Sequence, residues 1–147
     1  MTQEAISLTV HRKDDRLFVT PWVLSKVGFQ CTDDVFIAAP GVDGLVKALE
    51  SAAARAREVS KLPMDTRFTD RGGRYWERAG ARSEKEFVKH STAITVLMSA
   101  KRTEFQHHVP MKDNDGMQAK TEPKTLKPGL SVEQIAQEVL AMFERLG

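Results

Sequence analysis

The side chains with most potential for chemistry cluster in the segment Arg71–Ser83. It contains four arginines, the only tyrosine of the chain, one of the two tryptophans and three glycines. The arginines recur at spacings of three, four and four residues, so a helix would align them into a stripe that binds phosphates or carboxylates. The glycines disfavour one continuous helix, and Ser83 with Glu86 forms a capping box that begins a new one. We therefore predict a scaffold in which Tyr75 and Trp76 anchor the chain, and a partner surface only second.

The four histidines are the natural candidates for acid–base catalysis. His107 and His108 are adjacent in a predicted strand, so their side chains point to opposite faces of the sheet. His11 lies near a strand end and His90 near a helix end. Two distant histidines could form a ribonuclease-type acid–base pair. The alternative, which we favour, is that all four are ordinary surface or sheet residues.

Pairs of aspartates occur at three places. Asp14-Asp15 and Asp33-Asp34 could hold magnesium, but no third ligand lies nearby in sequence and turns are rich in aspartate. Asp113-Asn114-Asp115-Gly116 resembles the start of a calcium loop, yet the twelfth position is a lysine rather than the required glutamate. Asp-Gly is a strong hairpin signal. We predict turns at these places, with no metal and no cofactor.

Composition limits the class of protein. The 147 residues suit a single domain spanning 1–147, and 22 basic against 20 acidic side chains give a net charge of +2. The single cysteine excludes an internal disulfide and a cysteine-rich zinc site. Neither a signal peptide nor an apolar run near 18 residues is visible. We expect a cytoplasmic protein that does not contact membranes.

Hydrophobic periodicity predicts the elements that must position these residues. Pro21 lacks a backbone donor, so the second strand is expected to end there or to lie at a sheet edge. The order β-β-β-α-α-β-β-β-α favours an α+β fold, with a mainly antiparallel sheet of five to six strands packed by two long helices and one short helix on one face. The predicted strands are 5–12, 16–23, 34–39, 92–99, 103–109 and a weak one within 117–127, and the predicted helices are 42–60, 83–90 and one beginning at Ser131.

The second half of the chain resembles a known family. Tyr75–Ser83 is followed by Phe87-Val88-Lys89, a strand and hairpin over Ile94–Val109, Leu126-Lys127-Pro128, and a helix that begins Ser131-Val132-Glu133-Gln134. This order is similar to immunity proteins of bacterial contact-dependent growth inhibition systems, mainly over 71–147. The resemblance implies a small protein without enzymatic activity. It would bind and neutralise the C-terminal toxin domain of a cognate effector, often a nuclease, as a one-to-one heterodimer in the producing cell.

The resemblance transfers no functional residue, because these families vary most in their contact surfaces. A nuclease site is basic, so acidic loops are the first candidates for contact, and arginine and tryptophan are common interface anchors. Trp22 is a further candidate anchor. The alternative function is a small nucleic-acid-binding module that uses the basic segment Arg71–Arg82, although the near-zero net charge makes nucleic acid an unexpected partner. The predicted partner-binding residues are Asp14, Asp15, Asp33, Asp34, Trp76, Arg74, Asp113 and Asp115.

Overall fold

One antiparallel sheet organises the chain, as predicted. The computed structural model describes residues 4–26, 28–32, 34–67, 75–110, 117–119 and 122–145. The sheet path is β3-β2-β1-β5-β6-β7, with β4 also pairing β2 and β8 also pairing β6. The strands are β1 Ile6–Lys13, β2 Arg16–Ser25, β3 Gly28–Cys31, β4 Phe36–Ala38, β5 Thr92–Met98, β6 Thr103–Pro110, β7 Met117–Ala119 and β8 Lys124–Leu126. The helices are α1 Val42–Ser60, α2 Tyr75–Arg78, α3 Glu84–Lys89 and α4 Val132–Arg145, and Met64–Thr66 forms a 3₁₀ turn.

The first hairpin closes through a two-residue turn. Asp14 and Asp15 have φ angles of 53° and 62°, the pair of positive values that defines the type I′ turn preferred between twisted strands. The predicted hairpin and its turn are therefore confirmed. The expectation for Pro21 is wrong, because β2 continues to Ser25. The Pro21 carbonyl lies on the side of β2 that faces β3 and β4, and it accepts a hydrogen bond from the Thr32 amide. The N–H group that proline lacks would lie on the same side, in the gap between β3 and β4.

Both outer strands of the sheet are split, which is why there are more strands than expected. β3 pairs with residues 22–25 of β2, whereas β4 pairs with residues 17–19. On the other side, β7 pairs with residues 108–110 of β6 and β8 with residues 103–105. The predicted third strand, 34–39, is confirmed in part as β4, and β3 is an additional strand that was not predicted. The predicted last strand, within 117–127, is replaced by two shorter ones, β7 and β8. Short edge strands offer little backbone for pairing with another molecule.

The two long helices cover one face of the sheet. α1 has the predicted bounds, and its small apolar side chains pack close to the strands. α4 begins with a complete capping box: the Gln134 amide donates to the Ser131 hydroxyl at 3.1 Å, and the Ser131 amide donates to the Gln134 side chain at 2.9 Å. The main core lies between these helices and the inward positions of the central strands. Its largest fully buried members are Leu8, Val10, Val19, Leu45, Leu49, Ile94, Phe105 and Ile135.

The short helices lie on the opposite face, contrary to the prediction that one face carries them all. Phe18 alternates with Leu17 and Val19 of the main core, so it points to the other side of the sheet. There it packs against Phe87 of α3 and forms a second apolar cluster with Tyr75 of α2. The Ser83 hydroxyl accepts from the Glu86 amide at 3.1 Å, which confirms the predicted start of α3. These two helices are short, and beside them part of this sheet face lies open.

Candidate functional site: an aromatic cavity on the second sheet face

A cavity of about 320 Å³ lies beside α2 and α3 on the second sheet face. Its floor is formed by outward positions of the central strands, including Ser7 and Thr9 of β1 and Thr95 of β5. Thr9 and Thr95 are directly paired in the β1–β5 register, so their side chains lie side by side. The floor of the cavity is therefore rich in small hydroxyl side chains. We call this feature the aromatic cavity, after the residues of its walls.

Three large aromatic side chains line the aromatic cavity: Trp22, Phe29 and Tyr75. The Trp22 indole donates to the Thr20 hydroxyl at 2.9 Å, which fixes the ring against the sheet. Trp22 and Tyr75 meet edge to face, with 6.4 Å between ring centroids. Phe29 remains 37% exposed, a high value for a large apolar side chain. The walls thus present both fixed and accessible aromatic surface.

His11 forms the deep end of the aromatic cavity. Its ring stacks on Tyr75 at 5.7 Å and meets the edge of Phe87 at 4.9 Å. The Nε2 atom lies 3.3 Å from the Thr20 hydroxyl, and Nδ1 has no hydrogen-bond partner among the described residues. Burial lowers the pKa of His11 to about 3. The imidazole is therefore neutral at pH 7 and acts as a packed, hydrogen-bonding ring.

Glu84 supplies the negative charge of the aromatic cavity. Burial raises the pKa of the Tyr75 hydroxyl, and the nearby Glu84 carboxylate raises it further. Burial also lowers the pKa of His108, although a hydrogen bond to the Gln106 carbonyl at 3.3 Å partly opposes the shift. Both lining histidines are thus uncharged at pH 7. Among the described residues that line the cavity, Glu84 alone carries a formal charge.

Of the four histidines that sequence analysis considered for catalysis, the structure brings two, His11 and His108, into the same cavity. His107 faces the long helices, opposite Ile94 in the β5–β6 register, whereas His108 faces the aromatic cavity. Their placement on opposite faces is confirmed. His90 is exposed at the end of α3. His11 and His108 share the cavity, but burial keeps the deeper ring neutral over the pH range in which a histidine base normally works.

Asp34 has internal partners. Its carboxylate accepts from the Arg55 guanidinium and from the Thr32 hydroxyl, both at 2.8 Å, and Arg78 lies 3.5 Å away. The hydrogen bond to Asp34 is the main reason why the pKa of Arg55 is raised. These contacts connect the segment that precedes β4 to helices α1 and α2. Contact between Asp34 and a partner stays a prediction.

The other described acidic candidates lie elsewhere. Asp14 and Asp15 line a shallow groove of about 570 Å³ with Lys89 and His90. The β2–β4 register places Asp34 roughly 20 Å from the Asp14–Asp15 turn along β2. The three acidic candidates within the described residues, Asp14, Asp15 and Asp34, are therefore not brought together on one patch.

The predicted anchor Trp76 is half-buried against the apolar cluster of Phe18, Tyr75 and Phe87. Arg78 of the arginine segment pairs with Asp34, and Arg82 is exposed. The predicted scaffold role of the segment therefore accounts for Trp76 and Arg78. The remaining predicted contact residues, Asp33, Arg74, Asp113 and Asp115, lie outside the described residues, as does Arg71.

Sequence reasoning missed the aromatic cavity. Its residues come from β1, β2, β3, β5, β6 and both short helices, and no local motif links them. One signal was present: the outward positions of the first hairpin include Thr9, His11, Thr20 and Trp22, which carry no acidic or basic group of the kind common on a solvent-facing strand face, and two of them are large rings. Such a face indicates partial burial on the second side of the sheet.

The fold and site define an α+β domain with one sealed and one partly open sheet face. No protein family model matches the chain, and no curated protein matches it. A solved protein of unknown function from Neisseria meningitidis has a similar structure, with a TM-score of 0.62 and 10% sequence identity over 99% of this chain and 97% of that one. At this identity the likeness shows the fold alone. Among the described residues, no helix is long and apolar enough to cross a membrane.

Proposed function

We propose that the protein is an immunity protein: it binds and neutralises the C-terminal toxin domain, a nuclease, of a contact-dependent growth inhibition effector. The resemblance of residues 71–147 to such proteins motivates the choice of partner. The protein would act by binding alone and would protect the cell that makes both proteins.

The observation that supports a binding role is the aromatic cavity. Trp22 and Phe29 expose aromatic surface in a concave site, while most large apolar side chains are sealed beneath α1 and α4. Aromatic side chains in such pockets commonly dominate the free energy of protein association. A partner that covers the cavity and its rim would bury an area typical of a stable complex, about 800 Å² on each side. We therefore place the centre of the toxin interface at the cavity.

Electrostatics supports an acidic contribution at the edge of this interface. Glu84 lies in the cavity wall, and Asp14 and Asp15 are exposed at the tip of the first hairpin. A nuclease domain is basic where it binds phosphates. Acidic groups on the inhibitor would accelerate capture of such a surface, with a rate that falls as salt is added.

The proposal predicts that a large exported effector is encoded next to this gene, and the test is co-expression with the C-terminal domain of that effector. We expect growth to be restored and the purified proteins to form a one-to-one complex measurable by calorimetry. Trp22→Ala and Phe29→Ser should each weaken the complex by about tenfold or more, because each removes aromatic surface at the centre of the interface. Leu62→Ser is the matched control, since Leu62 is 46% exposed beyond the end of α1. Absence of both protection and complex would refute the proposal.

A further inference from the structure

We infer that the aromatic cavity receives a tyrosine side chain of the partner, whose ring packs against Trp22 and Phe29 and whose hydroxyl forms a hydrogen bond with His108. The inference rests on the proposed function only in assigning that tyrosine to the toxin domain. The choice of a neutral phenol ring follows from the shape, the charge and the hydrogen-bonding groups of the cavity.

The cavity is a depression between small and large side chains of one sheet face. Thr9, Ala93 and Thr95 are the small side chains of its floor. Trp22 on β2 and His108 on β6 are the larger side chains beside them. The volume of about 320 Å³ lies at the lower end of the range for pockets that enclose a small ligand. It therefore suits a single ring better than a larger group.

Trp22 and Phe29 supply the accessible aromatic surface. Phe29 is 37% exposed, and Trp22 is partly exposed while its indole N–H donates to the Thr20 hydroxyl at 2.9 Å. Tyr75 is only 6% exposed and stacks on His11, so it forms the closed back of the cavity rather than a contact for a ligand. An entering ring would gain stacked or edge-to-face contacts with the two accessible rings, which add to the effect of buried area alone.

The charges around the cavity favour an uncharged ligand. Burial lowers the pKa of His11 and that of His108, so both rings are neutral at pH 7. Glu84 is exposed on α3 and already interacts within the chain. A charged side chain would give up its water without gaining an unpaired counter-charge from the described residues that line the cavity, whereas a phenol carries no charge to desolvate.

The hydrogen bond made by His108 determines which of its ring nitrogens can accept another. Nδ1 lies 3.3 Å from the carbonyl oxygen of Gln106. A carbonyl only accepts, so Nδ1 carries the hydrogen, and Nε2 of the neutral ring is left with a lone pair. Nε2 lies at the end of the ring away from the backbone, on a side chain that lines the cavity. A hydroxyl donor is therefore the complement of His108.

The floor of the cavity distinguishes tyrosine from other aromatic residues. Thr9 is only 6% exposed, and its hydroxyl has no hydrogen-bond partner among the described residues. The Thr95 hydroxyl donates to the Gln106 carbonyl at 3.4 Å, so its oxygen remains an acceptor. A phenol hydroxyl both donates and accepts, which suits these groups. An indole only donates, and a phenylalanine ring does neither.

The inference is tested first on the isolated protein with small probes. The chain has two tryptophans, so its NMR spectrum has two indole N–H signals, and Trp76→Phe assigns them. Titration with N-acetyl-tyrosine amide should shift the Trp22 signal in a saturable manner. N-acetyl-phenylalanine amide, which lacks only the hydroxyl, should bind about fivefold more weakly because it loses a hydrogen bond. Equal affinities for the two probes, or no saturable shift at millimolar concentrations, would overturn the inference.

Histidine variants provide the matched control. His108→Phe keeps a ring at the cavity wall but removes the Nε2 acceptor, so the two probes should bind this variant with equal affinity. His90→Phe, at an exposed position at the end of α3 and outside the cavity wall, should retain the fivefold preference for the tyrosine probe. A preserved preference in His108→Phe would contradict the hydrogen bond to this residue.

The toxin complex tests the source of the tyrosine. When each tyrosine of the toxin domain is changed to phenylalanine, one variant should bind the wild-type protein about fivefold more weakly and bind His108→Phe without further loss. A complex in which no such variant loses affinity would refute the inference and leave the immunity function in place. Selective binding of the tyrosine probe without toxin protection or complex would refute the immunity function and leave the preference of the cavity for a phenol in place.

Discussion

The His11 ring is enclosed between the sheet and the short helices, with Tyr75 and Phe87 against it. Burial removes water from both ring nitrogens, and the nearest polar group is the neutral Thr20 hydroxyl. At the scale of single residues, surroundings therefore decide roles that residue type leaves open. Histidine, the usual acid–base group, is here a packed neutral ring, and Asp34 is an internal anchor for two arginines.

The buried histidine makes stability depend on pH. The pKa of His11 is about 3 in the folded state, whereas a histidine in an unfolded chain has the ordinary value of 6.5. Between these values the unfolded state binds a proton that the folded state does not, so stability falls as pH falls below 6.5. We expect a loss of about 1.4 kcal/mol per pH unit over this range, or roughly 2–3 kcal/mol between pH 6 and pH 4.

Chemical denaturation at several pH values measures this loss. His11→Leu should flatten the pH dependence by about the same amount, and measurement at pH 7.5, where both states are neutral, reports its packing cost separately. His108 contributes in the same direction and remains in the variant. An identical slope in wild type and variant would show that His11 is not the group responsible.

At the scale of elements, the first turn of α1 approaches the end of β4 closely. Gly44 lies in that turn, and a Cβ atom added there would overlap the carbonyl oxygen of Ala39. Glycine in a helix normally lowers stability relative to alanine. At this position the absence of a side chain is instead what allows the helix to begin close to the sheet edge, after a short connection that consists of Ala39, Pro40 and Gly41.

Gly44→Ala should therefore destabilise the protein despite the higher helix propensity of alanine. We expect a loss of about 2–4 kcal/mol, because the conflict is with backbone rather than with a flexible side chain. Ala54→Gly, at an exposed position in the same helix, is the comparison and should cost only about 1 kcal/mol. Thermal or urea unfolding measures both. A stabilised Gly44→Ala variant would contradict the close approach.

Over the whole molecule, the two faces of the sheet are covered to different extents. One face joins α1, α4 and the central strands in a continuous core that includes Leu49 and Phe105. The other face carries two short helices and the aromatic cavity. The main core thus lies on one side of a single layer of strands, and the proposed binding site lies on the other.

This division predicts different responses to substitution on the two faces. Leu49 lies on the buried face of α1, in the main core, and Leu49→Ala should lower the free energy of unfolding by about 2–5 kcal/mol. Phe29→Ser, at the partly exposed wall of the cavity, should change it by less than about 1 kcal/mol while weakening the proposed toxin complex. Urea unfolding and calorimetry on the same samples give both quantities. A large loss of stability in Phe29→Ser would place this residue in the structural core instead.

Elements with local signals could be predicted from the residue pattern. The bounds of α1 follow from its periodic apolar face, the capping boxes mark the starts of α3 and α4, and the Asp14–Asp15 turn joins the first hairpin. Long-range contacts instead set the splitting of the edge strands, the packing of α2 and α3 on the second face, and the internal partners of Asp34. The aromatic cavity also belongs to this second group, since Trp22, Tyr75 and Glu84 meet through strand register and helix placement. Hydrophobic periodicity indicates which side of a helix or strand is buried. Which other element covers that side depends on contacts between residues that are far apart in the chain.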